Sequence, residues 1–239
     1  TRIAGRVSAP LTLAAIVPGR MAIRPGAFYS RGADMTGLVY SSTSDTLRLT
    51  PEMAHQRRMR RKKCGTITGA RLLQEQMRDS GFRWRVAMFT LTYADVDGWS
   101  ARHITRFIKT TREYLRRRGW TMRYVWVLEL QARGAPHYHV LIWLPRGVTL
   151  PKPDKAGTWP HGLTRSEWAR NAVGYIAKYA AKCEARRELP RGARVCAIGG
   201  LDKARQVIRR WWLAPCWVRE RWPLGSNVFP AREGGGWVD

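Results

Sequence analysis

Two spacings of hydrophobic residues alternate along the middle of the chain. Residues 85–93 form a run rich in β-branched and aromatic side chains, bounded by turn residues, which predicts a buried strand. After Ser100, apolar side chains recur at helical spacing for about 18 residues, which predicts a helix capped by that serine. Residues 122–130 and 137–144 are two further apolar runs. Because a short turn at 133–136 separates them, they are expected to pair as an antiparallel hairpin.

A proline-initiated helix is predicted before the first strand. Thr50 followed by Pro51 is typical of a helix start, and helical sequence extends over 51–63 and again over about 68–80. Residues 1–50 are rich in Gly, Ser, Thr and Pro and lack a sustained period. They are therefore expected to form an extended or poorly ordered arm.

More elements are predicted after the hairpin. Thr164 and Glu167 have the spacing of a capping box, which predicts a helix from there to about residue 187. A short strand near 193–198 and a helix over about 202–212 should follow, and then an irregular end rich in Trp, Arg and Gly.

The order strand, helix, hairpin and helix predicts an α+β fold, in which helices pack on an antiparallel β-sheet. The 239 residues suffice for one large domain with appendages. Four segments are expected: the arm over 1–50, a basic helical segment over 51–82, a core over 83–190 and a Trp/Arg-rich extension over 191–239.

The charge balance is far from neutral, since 43 Lys and Arg against 17 Asp and Glu give a formal charge of +26. Cations placed on phosphates release condensed counterions, so a polyanionic partner explains this excess. Nucleic acid is favoured over an anionic membrane surface, and no apolar run approaches the ~18 residues of a membrane span. Dense cationic blocks are usually solvated, but two of them are candidates for binding DNA phosphates: Arg57, Arg58, Arg60, Arg61, Lys62 and Lys63, and Arg116, Arg117 and Arg118.

The four cysteines are far apart in the sequence and form no C-x-x-C pair. This spacing argues against a zinc ribbon and against a disulfide framework. It is typical of a protein in a reducing cytoplasm, which is the expected location.

The third apolar run contains a candidate metal site. His137 and His139 are two residues apart in a strand, so both side chains project from the same face. The hairpin turn should bring Glu129 beside His137, with Gln131 as the alternative or an outer ligand. Two imidazoles and one carboxylate leave coordination positions open, which favours a catalytic Mg²⁺ or Mn²⁺ over a closed structural zinc. The alternative is a pair of histidines that binds no metal.

A second candidate site lies in the helix after the hairpin. Tyr175 and Tyr179 are one helical turn apart, and Lys178 and Lys182 each follow a tyrosine by three residues. A free phenol with a pKa near 10 needs help to attack phosphorus, which a lysine and a metal ion can supply. The alternative is that both tyrosines belong to the buried stripe of the helix. A metal and a tyrosine nucleophile together point to phosphodiester chemistry.

With these residues, the chain resembles the HUH endonucleases, and among them the rolling-circle replication initiators of small single-stranded-DNA phages, filamentous phages included. The sequence FTLTY at 89–93 looks like their first motif. PHYH at 136–139 looks like the metal-binding motif, with Glu129 where the upstream acidic ligand falls. YIAKYAAK at 175–182 is similar to the two-tyrosine motif Y-x-x-K-Y. The resemblance spans about 85–185.

The resemblance implies a palm of the ferredoxin or RRM type and a nicking and joining enzyme. One tyrosine attacks a phosphodiester of a single-stranded origin segment, keeps the 5′ phosphate and frees a 3′ hydroxyl that primes a host polymerase. The second tyrosine acts after one round. Because the chain has no G-x-x-x-x-G-K-[ST] sequence, strand separation would need a host helicase. A relaxase or transposase of the same chemistry is an alternative, and so is a nucleic-acid-binding regulator without enzyme activity.

Overall fold

The computed structural model describes residues 50–131, 133–182, 189, 192–230 and 237–238. The predicted arm, apart from residue 50, lies outside them. The helices of the described part are α1 (Pro51–Asp79), α2 (Ala101–Arg116), α3 (Ala172–Lys182), α4 (Lys203–Trp212) and α5 (Cys216–Arg221). Its strands are β1 (Trp84–Thr92), β2 (Arg123–Leu130), β3 (Pro136–Pro145), β4 (Thr164–Ala169), β5 (Cys196–Gly199), β6 (Phe229–Pro230) and β7 (Trp237–Val238).

The centre of the fold is a five-stranded antiparallel sheet with the order β4-β1-β3-β2-β5. The predicted hairpin is β2 and β3, which pair from Arg123 opposite Trp143 to Leu130 opposite Pro136. The structure therefore confirms the predicted α+β class and the antiparallel sheet. The strands β6 and β7 form a separate two-stranded ribbon.

Helices cover both faces of the sheet because most of its strand residues are apolar on both sides. On one face, Phe107 and its neighbours in α2 pack against alternate strand residues such as Val140 and Ile142. On the other face, α1 and α3 pack against the intervening residues, among them Leu141 and Trp143. The boundaries proposed between segments at 82/83 and 190/191 stay predictions.

The predicted capping box does not open a helix. Thr164 and Glu167 lie in β4, which pairs with β1. The hydroxyl of Thr164 donates to Asp154 Oδ1 at 2.6 Å instead of capping a helix. The helix begins only at Ala172, where Asn171 Oδ1 accepts the Gly174 N–H at 2.9 Å.

The first helix is continuous, whereas the sequence predicts a break near residues 64–67. Gly65, a poor helix former, is buried, and a side chain there would meet Arg209 and Leu213 of α4 at 3.2 and 3.3 Å. Thr66 satisfies its hydroxyl by donating to Lys62 O at 2.8 Å. Tertiary packing therefore decides the helix where local propensity is weak.

The C-terminal part is more regular than predicted. The strand near 193–198 is β5, and the predicted helix is α4, capped by Asp202, whose Oδ1 accepts the Arg205 N–H at 2.7 Å. The irregular end was the wrong expectation, because α5 and the β6–β7 ribbon lie there. Burial of Val218 and Val228 accounts for this order.

The packing of α1 on the sheet predicts a large effect for one substitution. Leu73 is fully buried between α1 and the sheet, so Leu73→Ala should lower the free energy of unfolding by about 2–5 kcal/mol. The adjacent Gln74 is exposed, and Gln74→Ala should change it by less than about 0.5 kcal/mol. Urea unfolding of both variants measures the difference. Equal stability of the two would mean that α1 does not pack as described.

Candidate metal and tyrosine site

The hairpin brings the three predicted metal ligands to one end of the sheet. Glu129 in β2 lies directly opposite His137 in β3, in the position expected from the turn. His139 follows two residues later and projects from the same face. This is the face that α1 and α3 cover, and His139 is 3 % exposed.

The donor atoms of these residues converge. Glu129 Oε2 lies 3.1 Å from His137 Nε2 and 2.9 Å from His139 Nε2, and the two imidazole nitrogens are 2.8 Å apart. Three facial ligands of an octahedral ion, each at about 2.1 Å, would lie about 3.0 Å from one another. The residues therefore fit a divalent metal ion, and Glu129, His137 and His139 could hold one. We call these residues the triad.

The outer contacts of the two imidazoles differ. His139 Nδ1 lies 3.4 Å from Thr90 Oγ1 and 3.4 Å from the Tyr175 hydroxyl. His137 Nδ1 is buried and has no hydrogen-bond partner among the described residues. The pairing of Thr90 with His139 across β1 and β3 fixes the orientation of the more buried ligand.

Gln131, the alternative ligand, takes part in the hairpin turn. Its Oε1 accepts from Arg133 Nε at 2.9 Å, and its backbone N–H donates to Ala135 O. Arg133 also donates to the backbone oxygens of Tyr93 and Ala94 at the end of β1. The turn is thus tied to the central strand, which holds Glu129 in register with His137.

Helix α3 presents both tyrosines to the triad. Ala172, Ile176 and Ala180 form its buried stripe against the sheet and α1. Tyr175 and Tyr179 lie beside this stripe and are half-buried. The Tyr179 ring stacks on His139 with centroids 3.5 Å apart, and the two tyrosine rings are 4.6 Å apart.

The two predicted lysines differ in what can be said of them. Lys178 is exposed, and its Nζ lies 5.8 Å from the centroid of the Tyr179 ring, within reach of a cation–π contact. Lys182 is the last residue of α3, and its side chain lies outside the described residues.

The environment keeps the first phenol protonated. Burial raises the pKa of Tyr175 above its ordinary value, and the hydrogen bond with Tyr179 and the charge of Tyr179 raise it further. The contact with Thr90 acts in the opposite direction. A nucleophilic role for this hydroxyl would therefore need a cation at the triad to stabilise the phenolate.

The two basic blocks lie in different places. Arg57, Arg58, Arg60 and Arg61 are exposed on the first half of α1, and Lys62 and Lys63 are half-buried beside Val127 and Ala180, near the triad end of the sheet. Arg116, Arg117 and Arg118 end α2, on the other face.

The α2 block is also partly neutralised. Arg116 and Arg117 form ion pairs with Glu113 at 2.7 and 3.1 Å, and the Arg118 guanidinium lies 3.6 Å over the Tyr114 ring. Nearby Trp120 contacts Trp84 at the start of β1, which is the opposite end of that strand from Thr90. The structure therefore does not bring this block to the triad.

Sequence reasoning missed three residues of this region: Thr90, Asn171 and Arg133. Thr90 shares the alternation of β1 and could have been found once β1 was paired with β3. Asn171 precedes Gly174 by three residues, which is the spacing of a helix cap. Arg133 had no sequence signal, because its partners are backbone oxygens.

None of the helices within the described ranges is long and apolar enough to cross a membrane.

Residues 86–184 match the family model of the replication-associated protein ORF2. No curated protein and no solved structure matches the chain. The matched stretch contains the triad and both tyrosines, and it indicates a replication-associated protein. The HUH assignment and the filamentous-phage type stay predictions.

The triad predicts metal-dependent stability. Mn²⁺ at about 100 times its Kd should raise the free energy of unfolding by about 2.7 kcal/mol, because only the folded chain assembles the three donors. Glu129→Gln should abolish this increase. His55 is exposed on α1 and far along the chain from the triad, so His55→Ala should keep it. Thermal unfolding with Mn²⁺ and with EDTA measures the shift, and an unchanged shift in Glu129→Gln would exclude the triad as the site.

Proposed function

We propose that this chain is a metal-dependent enzyme that nicks and joins single-stranded DNA at a replication origin, and so starts and ends rolling-circle replication. The observation that carries the proposal is the place of His139. Its Nε2 belongs to the triad, while its Nδ1 lies 3.4 Å from the Tyr175 hydroxyl. A cation site and a nucleophile therefore share one residue.

The triad would hold Mg²⁺ or Mn²⁺, which when bound polarises a phosphate and stabilises a leaving oxygen. Tyr175 would lose its phenolic proton and attack the phosphorus. The bond from phosphorus to the 3′ oxygen breaks, and that oxygen takes up a proton and leaves as a 3′ hydroxyl. The 5′ phosphate stays on Tyr175 as a phosphodiester, so the bond energy is kept for rejoining.

Tyr179 would serve as the second nucleophile. It lies one helical turn after Tyr175, and its ring stacks on His139. In the proposed cycle it attacks the regenerated junction, and the new 3′ hydroxyl then resolves the first link. The closer contact of the Tyr175 hydroxyl with His139 supports Tyr175 as the first nucleophile. Lys178 and Lys182 are proposed to stabilise charge on the phenols and the phosphate.

The cations of α1 would bind the DNA near the cleaved bond. Arg57 to Lys63 extend along the half of α1 that approaches the triad end of the sheet. Their side chains would neutralise backbone phosphates without reading the bases. The assignment of Arg116–Arg118 to the same track has no support from their position.

The remaining partners follow from the resemblance to HUH initiators of the filamentous-phage type. A host helicase would separate the strands, and a host polymerase would extend the 3′ hydroxyl in the cytoplasm. A regulator without enzyme activity would have no use for three metal donors within 2.8–3.1 Å of one another.

Loss of the phenols should abolish covalent attachment to DNA. With labelled origin DNA and Mn²⁺, the wild type should form an adduct that survives denaturing electrophoresis. Tyr175→Phe combined with Tyr179→Phe should form none, because no other nucleophile lies beside His139 in the described part of the chain. Tyr114→Phe, a matched control on α2, should behave as the wild type. Adducts in the double variant would refute the nucleophile assignment.

Loss of a metal ligand should separate cleavage from binding. Removing outer partners of a metal site typically costs about 10–100-fold, so His137→Ala should reduce cleavage by at least about 100-fold. DNA affinity should change by less than about threefold, because it depends on the cations. Cleavage assays and fluorescence anisotropy on the same preparation measure both. An equal loss of cleavage and affinity would contradict this division of roles.

A further inference from the structure

The face of the sheet opposite the triad contains a second concave region, a groove of about 730 Å³ between α2 and the strands β2 and β5. Tyr124 and Trp126 of β2 form part of its floor. Arg102, Arg106 and Lys109 are among its lining residues on α2. None of the residues that build the triad or carry the two phenols lines it.

One wall of the groove is a continuous cationic stripe. Arg102, Arg106, Lys109 and Arg112 are spaced by four, three and three residues, which places them on a single face of α2. All four are exposed. Arg112 uses one of its five guanidinium donors on the Tyr124 hydroxyl at 3.3 Å and retains others for a ligand.

The opposite wall adds a fifth cation. Arg194, just before β5, is exposed and faces the same groove. Among the described residues that line it there is no acidic side chain. Five like charges in one groove repel one another, which costs stability unless an anion is bound there.

The dimensions indicate an extended polyanion. From Arg102 to Arg112 the helix rises about 15 Å, which exceeds the size of a single phosphate group. Four of the five cations are arginines, whose planar guanidinium suits bidentate binding of phosphate. A concave groove is a poor match for a flat membrane surface, so a strand backbone is the better occupant.

We propose that this groove binds the sugar–phosphate backbone of a DNA segment other than the one that is cleaved. The proposal rests on the proposed function, in so far as the chain acts on DNA. Because the sheet separates the groove from Tyr175, the bound segment would be a flank of the origin, held while the tyrosine remains attached to the cleaved strand. Single-stranded and duplex flanks share this backbone chemistry, and the test distinguishes them.

The salt dependence of affinity counts the phosphate contacts. Arg106→Gln with Lys109→Gln removes two cations from the groove. The slope of log affinity against log salt should fall by about 1.4 if the groove holds a single strand and by about 1.8 if it holds a duplex. The control is Arg78→Gln with Lys203→Gln, which removes the same two charge types from exposed positions outside the groove. Its slope should fall by less than about 0.5, the allowance for general loss of positive charge.

A second variant separates the groove from the helix. Arg194→Gln lies on the opposite wall, so it should reduce the slope by about 0.7 on a single strand or about 0.9 on a duplex. Binding is measured by fluorescence anisotropy in EDTA, with a single-stranded and a duplex oligonucleotide, and unfolding curves verify that each variant is folded. Slopes equal to the control in both groove variants would overturn the proposal. So would lost binding to phosphatidylserine vesicles with unchanged binding to DNA.

The two proposals fail in different ways. If the wild type forms the covalent adduct while the groove variants bind like the control, the groove proposal is wrong and the nicking function stands. If the slopes fall as expected but the wild type forms no adduct, the groove stands and the nicking function is wrong.

Discussion

The pairing of Glu129 with His137 across the β2–β3 hairpin is the constraint on which the site depends. A shift of one residue in this pairing would turn Glu129 to the α2 face, away from both imidazoles. The register is held by the short turn, where Arg133 connects the hairpin to the end of β1. The same alternation places Thr90 beside His139. One pairing therefore positions the triad and the group that orients it.

The helix that bears the tyrosines is positioned by its apolar stripe. Ile176 is fully buried against the sheet, and Ala172 and Ala180 allow close approach to α1. Tyr175 and Tyr179 are consequently carried to the triad on a rigid element, and not on a loop. A proposed nucleophile with a raised pKa and a cation site on the neighbouring strand form a consistent pair, since each is of little use without the other.

The sequence was sufficient for the features that depend on local pattern. The hairpin, the two histidines on one face and the two tyrosines one turn apart all follow from spacing. It was insufficient where distant contacts decide. Thr164 has a capping-box neighbour, yet β4 fills the open edge of β1, and the Thr164 hydroxyl bonds to Asp154. The stripe of cations on α2 is visible in the sequence, but Arg194 joins it only because β5 pairs with β2.

Peptide mapping of the covalent adduct tests the central claim most directly. Trypsin cleaves after Arg170, Lys178 and Lys182, so the two tyrosines fall on separate peptides, Asn171–Lys178 and Tyr179–Lys182. After a single cleavage of origin DNA with Mn²⁺ and digestion of the DNA, mass spectrometry should find the nucleotide phosphate on Asn171–Lys178. Attachment to Tyr179–Lys182 would reverse the order of the two nucleophiles. A phosphate on neither peptide would contradict the account.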